Sequence, residues 1–149
     1  MNIAPLIVAA SMTVNVAAAQ PIAEPNENDL YILAHLINGE AGADWCSDDM
    51  MYGVGSVVLN RVSHELFPDS IEEVVFQEGQ YACTWDGNYD KEPCERAWTI
   101  AELLLKNGSV LPENVIFQAN FEQGDGTFLK EQNMYFCYIG DEPIIEERN

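Results

Sequence analysis

The sequence predicts an α+β domain, mainly helical, with a small β-hairpin near its C-terminal end. Three observations predict it. Apolar residues recur at helical spacing between Leu30 and Lys106, in segments opened by Asn, Asp or Ser and closed by Gly or Pro. Two short apolar and aromatic runs follow Pro112. The chain has 149 residues, 48% of them hydrophobic and 21% charged, which is enough for one buried core and too apolar for disorder.

The first 20 residues stand apart. Ile3 to Ala19 carries no charge and ends in Ala17-Ala18-Ala19, small residues of the kind a signal peptidase reads. Residues 1–19 are therefore expected to be a secretory signal peptide, followed by a polar leader over 20–28. The n-region, Met1-Asn2, lacks Lys and Arg. A start upstream, a membrane anchor and a buried N-terminal helix stay open as alternatives. The run is short for a spanning helix and contains Pro5 and Asn15, which favours cleavage and no stable membrane insertion.

Asn28 or Asp29 is expected to cap a first helix running to about Glu40, with Leu30, Leu33, Leu36 and Ile37 as its apolar stripe. Ser47-Asp48-Asp49 opens a second, Met50 to about His64. Gly53 and Gly55 each weaken that helix relative to Ala, and make sense where another backbone packs closely. Ser70-Ile71-Glu72-Glu73 is a capping box for a third, short helix. Gly79 to Glu92 reads as a loop. Pro93 suits the first turn of a fourth helix, ended by Asn107-Gly108. Val115 to Ala119 and Met134 to Tyr138 read as strands, with Gly124-Asp125-Gly126 a turn between them. From Asp141 to Asn149 the chain is an acidic tail, expected to be mobile.

Charge narrows the function classes. Twenty-five acids against 6 Lys+Arg give a net charge of −19. Such a chain is repelled by nucleic acid and anionic lipid, whose binding rests on cations. A neutral polymer such as a glycan remains acceptable. Cys46, Cys83, Cys94 and Cys137 are even in number behind a signal-like segment, which points to two disulfides. Three pairings are possible. Cys83–Cys94 would staple the loop between them and leave Cys46–Cys137. The alternative, a metal site, is poorly served: there is no Cys-x-x-Cys pair, and His35 and His64 are not spaced from the cysteines like zinc ligands. No cofactor or metal is expected. Asp86-Gly87-Asn88-Tyr89-Asp90 begins like a calcium loop, but Lys91 and Ala97 stand where its Gly and Glu belong, so an ordinary turn is expected. His35 is expected on the helix surface.

Glu40 lies three, four and seven residues after Ile37, Leu36 and Leu33, and so shares their helix face. A carboxyl on a core-facing stripe is desolvated, which raises its pKa and suits it to protonating a leaving oxygen. Helix phase alone does not separate that role from an ordinary solvated helix end.

The ordered series adds to this. Leu33-Ala34-His35-Leu36-Ile37-Asn38-Gly39-Glu40-Ala41 is followed by Gly53-Val54-Gly55-Ser56-Val57-Val58-Leu59-Asn60-Arg61-Val62. Then come Phe67-Pro68, Val74-Val75-Phe76-Gln77 and Gly79-Gln80-Tyr81. Over roughly residues 29–140 the chain resembles the SleB/CwlJ-type cell wall hydrolases, the spore-cortex-lytic group. The resemblance implies a catalytic domain related to lysozyme-like folds, with Glu40 as the catalytic acid. It implies lytic transglycosylation of the peptidoglycan glycan strand between N-acetylmuramic acid and N-acetylglucosamine, by a secreted, wall-associated monomer. A second carboxylate is then not obligatory. A hydrolytic muramidase would use a pair, with Asp44, Asp48 and Asp86 as candidates. A catalytically silent wall-binding or germination accessory protein is the other alternative. Substrate contacts are expected from Gln80, Tyr81 and Trp85, with packing of Tyr81 and Trp85 under the Cys83–Cys94 loop as the alternative, from Ser56 as a hydrogen-bond donor to the Glu40 carboxyl, and from Asn60, for which a purely structural role is the favoured alternative. Asn133-Met134 stands where many members carry Gly-His.

Overall fold

Helix α1, Glu27–Ala41, runs through the middle of the molecule. The computed structural model describes residues 26–145; the expected signal peptide and most of the leader lie outside them. Asn26, not Asn28 or Asp29, caps α1, its Oδ1 accepting from the Asp29 N–H at 2.7 Å. The helix thus begins inside the expected leader. Ile32 to Ile37 are buried without a break, because α1 packs against α2, α3, α4 and α5 at once. His35 is accordingly not a surface residue but 3% exposed, its Nδ1 2.6 Å from the Tyr89 carbonyl oxygen.

Helix α2, Asp48–Val62, is capped by Ser47, whose Oγ accepts from the Met50 N–H. Its two glycines admit side chains rather than a backbone. A Cβ on Gly53 would meet the Phe136 ring, and one on Gly55 would meet Leu104 and stand 2.9 Å from Ile37 Cδ1. Helix α3, Ile71–Val75, starts at the expected Ser70 cap, with Ser70 Oγ accepting from the Glu73 N–H and donating to its carboxylate. The next segment, read as a loop, contains one short helix, α4, Cys83–Asp86, closed by Gly87 at φ 92°. Pro93 lies two residues ahead of α5, Glu95–Asn107, whose N-cap is Cys94. Gly108 ends α5 at φ 85°.

The sheet has three strands, not two. Strands β1 (Val115–Ala119) and β3 (Met134–Tyr138) pair antiparallel, as their composition suggests. Strand β2, Gly126–Glu131, was expected to be turn and connection, yet it pairs antiparallel with β3 from the other side, in the order β1-β3-β2. Side chains near the end of α2 tie this sheet to the helices. Asn60 Nδ2 donates to the Pro112 and Val115 carbonyls, and Arg61 Nε to Ile116, the residue bulged out of the β1 register. The acidic tail is held at its first residue, where the Asp141 carbonyl accepts from Asn114 Nδ2 at 2.8 Å.

Candidate active site

The last turn of α1 forms the floor of a cleft of about 330 Å³, lined by Asn38, Gly39, Glu40, Gly42, Ala43, Trp45, Cys46, Asn88 and Lys91. Glu40 is half-buried there. Its position follows from helix phase: the core stripe that buries Leu33, Leu36 and Ile37 ends on it.

Burial is the largest influence on the Glu40 carboxyl and raises its pKa above the ordinary value. Hydrogen bonds from the Cys83 side chain and backbone act the other way, the negative charge of Asp86 adds to the rise, and the Arg61 guanidinium opposes it weakly. The Cys83 thiol is in turn pushed well up, first by burial and then by the Glu40 carboxylate. Helix α4 therefore supplies two of the groups that tune the acid, Cys83 and Asp86. Neither was singled out as a tuning group from sequence, because α4 is a single turn inside a loop.

Arg61 was likewise not assigned. Its guanidinium carbon lies 4.7 Å from the Phe67 ring centroid and 5.2 Å from that of Tyr81, and its Nη1 donates to Gln80 Oε1 at 3.2 Å. This stack holds the Gly79-Gln80-Tyr81 segment against α2. Tyr81 is 2% exposed, so its ring is core and not a sugar platform. Burial, opposed by the Arg61 charge, pushes its phenol to about 12. Gln80 is exposed and Trp85 is 60% exposed on α4, so both stay available to a ligand.

Two expected contacts are displaced. Ser56 is fully buried, but its Oγ accepts from the Val110 N–H at 3.0 Å and serves the loop after α5 rather than Glu40. Asn60 is 2% exposed and its Nδ2 donates to the Pro112 and Val115 carbonyls, while its buried Oδ1 has no partner, so the side chain organises the sheet rather than lining the cleft. Of the acidic candidates, Asp86 couples to Glu40, whereas Asp48 pairs with Arg96 at 2.8 Å.

All four cysteines are free thiols in this structure, and neither Cys83–Cys94 nor Cys46–Cys137 is bonded in it. Cys46 sits beside the β2–β3 turn, where its neighbour Ser47 bonds Gln132 and Glu131. Cys137 lies three residues along β3 from that turn, with its sulfur against Gln123 and Thr127. Cys83 faces Glu40, while the Cys94 N–H donates to Asn38 Oδ1. Among the described residues no three His, Cys, Asp or Glu side chains are grouped to hold a metal. The Asp86 segment is a turn, with Asp86 Oδ1 accepting from the Asn88 N–H. Among the described residues no helix is long and apolar enough to cross a membrane.

Known proteins resemble this arrangement. The sequence model of the family described as Cell Wall Hydrolase matches residues 47–141. A spore cortex-lytic enzyme of Oceanobacillus iheyensis is 31% identical over 72 residues, 48% of this chain and 25% of that protein. One of Bacillus subtilis is 33% identical over 82 residues, 55% of this chain and 26% of that protein. The matched region thus spans about a quarter of these relatives' length. The catalytic domain of the germination-specific lytic transglycosylase SleB from Bacillus anthracis superposes with a TM-score of 0.65 at 20% identity, covering 78% of this chain and 98% of that domain. The SleB catalytic domain of Bacillus cereus gives 0.67 at 19% identity, covering 78% and 94%. The fold is therefore that of these lysozyme-like domains. The family match begins after Glu40, but the structural match covers more of the chain than residues 47–149 contain, so it extends ahead of residue 47.

Proposed function

Because the chain belongs to the cell wall hydrolase family, we propose that it is a secreted lytic transglycosylase, and that Glu40 is the acid and base which cleaves the glycan strand of peptidoglycan between N-acetylmuramic acid and N-acetylglucosamine. The observation that carries this reading is the half-buried Glu40 carboxyl on the cleft floor, its pKa raised by burial. The raised pKa keeps more of the carboxyl protonated than an exposed glutamate would be, and the protonated form can donate to the bridging oxygen.

In the proposed reaction Glu40 gives its proton to the glycosidic oxygen as the bond to the muramic C1 breaks. The resulting carboxylate then takes the proton of the muramic C6 hydroxyl. The C6 oxygen closes on C1, forming an anhydro ring, and Glu40 is again protonated. Water is not consumed, and one carboxyl serves both steps. The names of the SleB domains that share this fold support the lyase chemistry, and the names of the curated relatives support spore cortex as the wall concerned. The signal-like segment of residues 1–19 supports export.

One observation favours a second reading. Asp86 lies close enough to Glu40 to raise its pKa by charge, so a hydrolytic muramidase would have its carboxylate pair in Glu40 and Asp86. Mass spectrometry of digested wall separates the two. Anhydro-muramic ends support the lyase; reducing muramic ends overturn it. Glu40→Gln should abolish solubilisation of purified wall while leaving the circular dichroism spectrum unchanged. Equal solubilisation by wild type and Glu40→Gln would remove Glu40 from catalysis.

A further inference from the structure

The cleft has one large exposed aromatic in its lining. Trp45 is 60% exposed and shares the wall of the cleft with Glu40. It sits in the short connection between α1 and α2, five residues after the acid. An exposed indole gains little from folding, and this one is the aromatic face that the lining of the Glu40 cleft offers to a ligand.

The way the connection is held points in the same direction. Gln132 Nε2 donates to the Trp45 carbonyl at 2.7 Å, and Gln132 Oε1 accepts from the Ser47 N–H at 3.0 Å. One side-chain amide thus brackets the backbone on both sides of Cys46. Glu131 adds a third tie by accepting from Ser47 Oγ at 2.8 Å. Gln132 makes these bonds from the β2–β3 turn, between the paired residues Glu131 and Met134. Its φ is 54°, the single positive value at a non-glycine among the described residues. That left-handed conformation favours Gly and disfavours a side chain such as Gln. A glycine would ease the turn and lose the bracket. The strained residue is retained where its amide fixes the segment carrying Trp45.

We propose that Trp45 is a sugar-stacking platform of the Glu40 cleft and that Gln132 is its positioning residue. The indole face receives the apolar face of a pyranose ring of the glycan strand, one sugar away from the bond presented to Glu40. The inference rests on the glycan substrate proposed above. It assigns a substrate contact to the α1–α2 connection.

The test compares wild type, Trp45→Phe, Trp45→Ala and Gln132→Gly as full chains on soluble, peptide-free glycan strands. Trp45→Ala should raise KM about tenfold with little change in kcat, as loss of one aromatic contact would. Trp45→Phe should recover most of that loss. Gln132→Gly should raise KM while its melting temperature stays equal to wild type or increases. Unchanged KM in Trp45→Ala overturns the platform. A lowered melting temperature with unchanged KM in Gln132→Gly overturns the positioning role. The same substitutions in a Glu40→Gln background, sedimented with purified peptidoglycan, separate this inference from the catalytic reading. If wild type fails to cleave but binding depends on Trp45, catalysis falls and the platform stands. If binding is also absent, both fall.

Discussion

The Cys83 thiol occupies the space that a side chain at Gly39 would need. A Cβ built on Gly39 would lie 2.8 Å from Cys83 Cβ and 2.9 Å from its Sγ. The glycine before Glu40 thus lets α4 close against the last turn of α1 and brings a thiol to the carboxyl. Gly39→Ala gains about 1 kcal/mol of helix propensity but forces an overpacked contact worth about 1–3 kcal/mol. A net loss of about 1 kcal/mol in denaturant unfolding is expected, together with reduced activity. Cys83→Ala should not rescue it, because the Cβ itself is in the way.

Two substitutions should move the pH profile in opposite directions. The first proposed step needs protonated Glu40, so the rate falls as pH rises through its raised pKa. Cys83→Ala removes a hydrogen bond that favours the carboxylate, which raises that pKa and shifts the alkaline limb upward. Asp86→Asn removes a repelling charge and shifts the same limb downward. Rates on wall fragments across pH read both. Shifts of the same sign would show that at least one of the two groups does not act through Glu40.

Glu40 also links stability to pH. Its folded pKa lies above the unfolded one, so the protonated form is favoured by folding. This contribution is fully present below the ordinary glutamate value and is lost as pH rises through the folded value. Glu40→Gln cannot ionise. The stability of wild type relative to Glu40→Gln should therefore decline as pH rises from the ordinary glutamate value through the raised folded value, as read by urea unfolding at several pH values.

Asn60 tests the division between scaffold and site. Asn60→Ala leaves the Pro112 and Val115 carbonyls without their donor. Unsatisfied buried acceptors cost about 1–3 kcal/mol each. Asn60→Ala should lower the melting temperature substantially while KM for the surviving folded enzyme stays unchanged. A raised KM at unchanged stability would return Asn60 to the substrate.

The parts of the fold legible in sequence were those determined locally. Ser47 and Ser70 cap α2 and α3 as read, and Gly108 closes α5. Glu40 was legible because three turns of α1 share its face. His35 was not, since α1 is enclosed on several sides and no polar stripe marks its outer face. Strand β2 was hidden because its residues are almost all half-buried, which erases the alternation that signals a strand. Its first residue is also the last of an apparent turn. Ser56 and Asn60 were misplaced because their partners lie more than 50 residues away, at Val110, Pro112 and Val115. The tuning of Glu40 by Cys83 and Asp86 depends on a one-turn helix that no periodicity reveals.

The central placement of α1 has a kinetic consequence. Amide hydrogens in a helix enclosed by four others exchange with solvent through global opening, whereas those of connecting segments exchange through local fluctuations. Glu40, the proposed proton donor, is therefore mounted on the last turn of the helix that should exchange most slowly. Trp45, which lines the same cleft, belongs to the α1–α2 connection, a segment that can open by itself. Under the proposed function labour would be divided accordingly, with a stationary acid and a glycan strand accommodated by the connections around it.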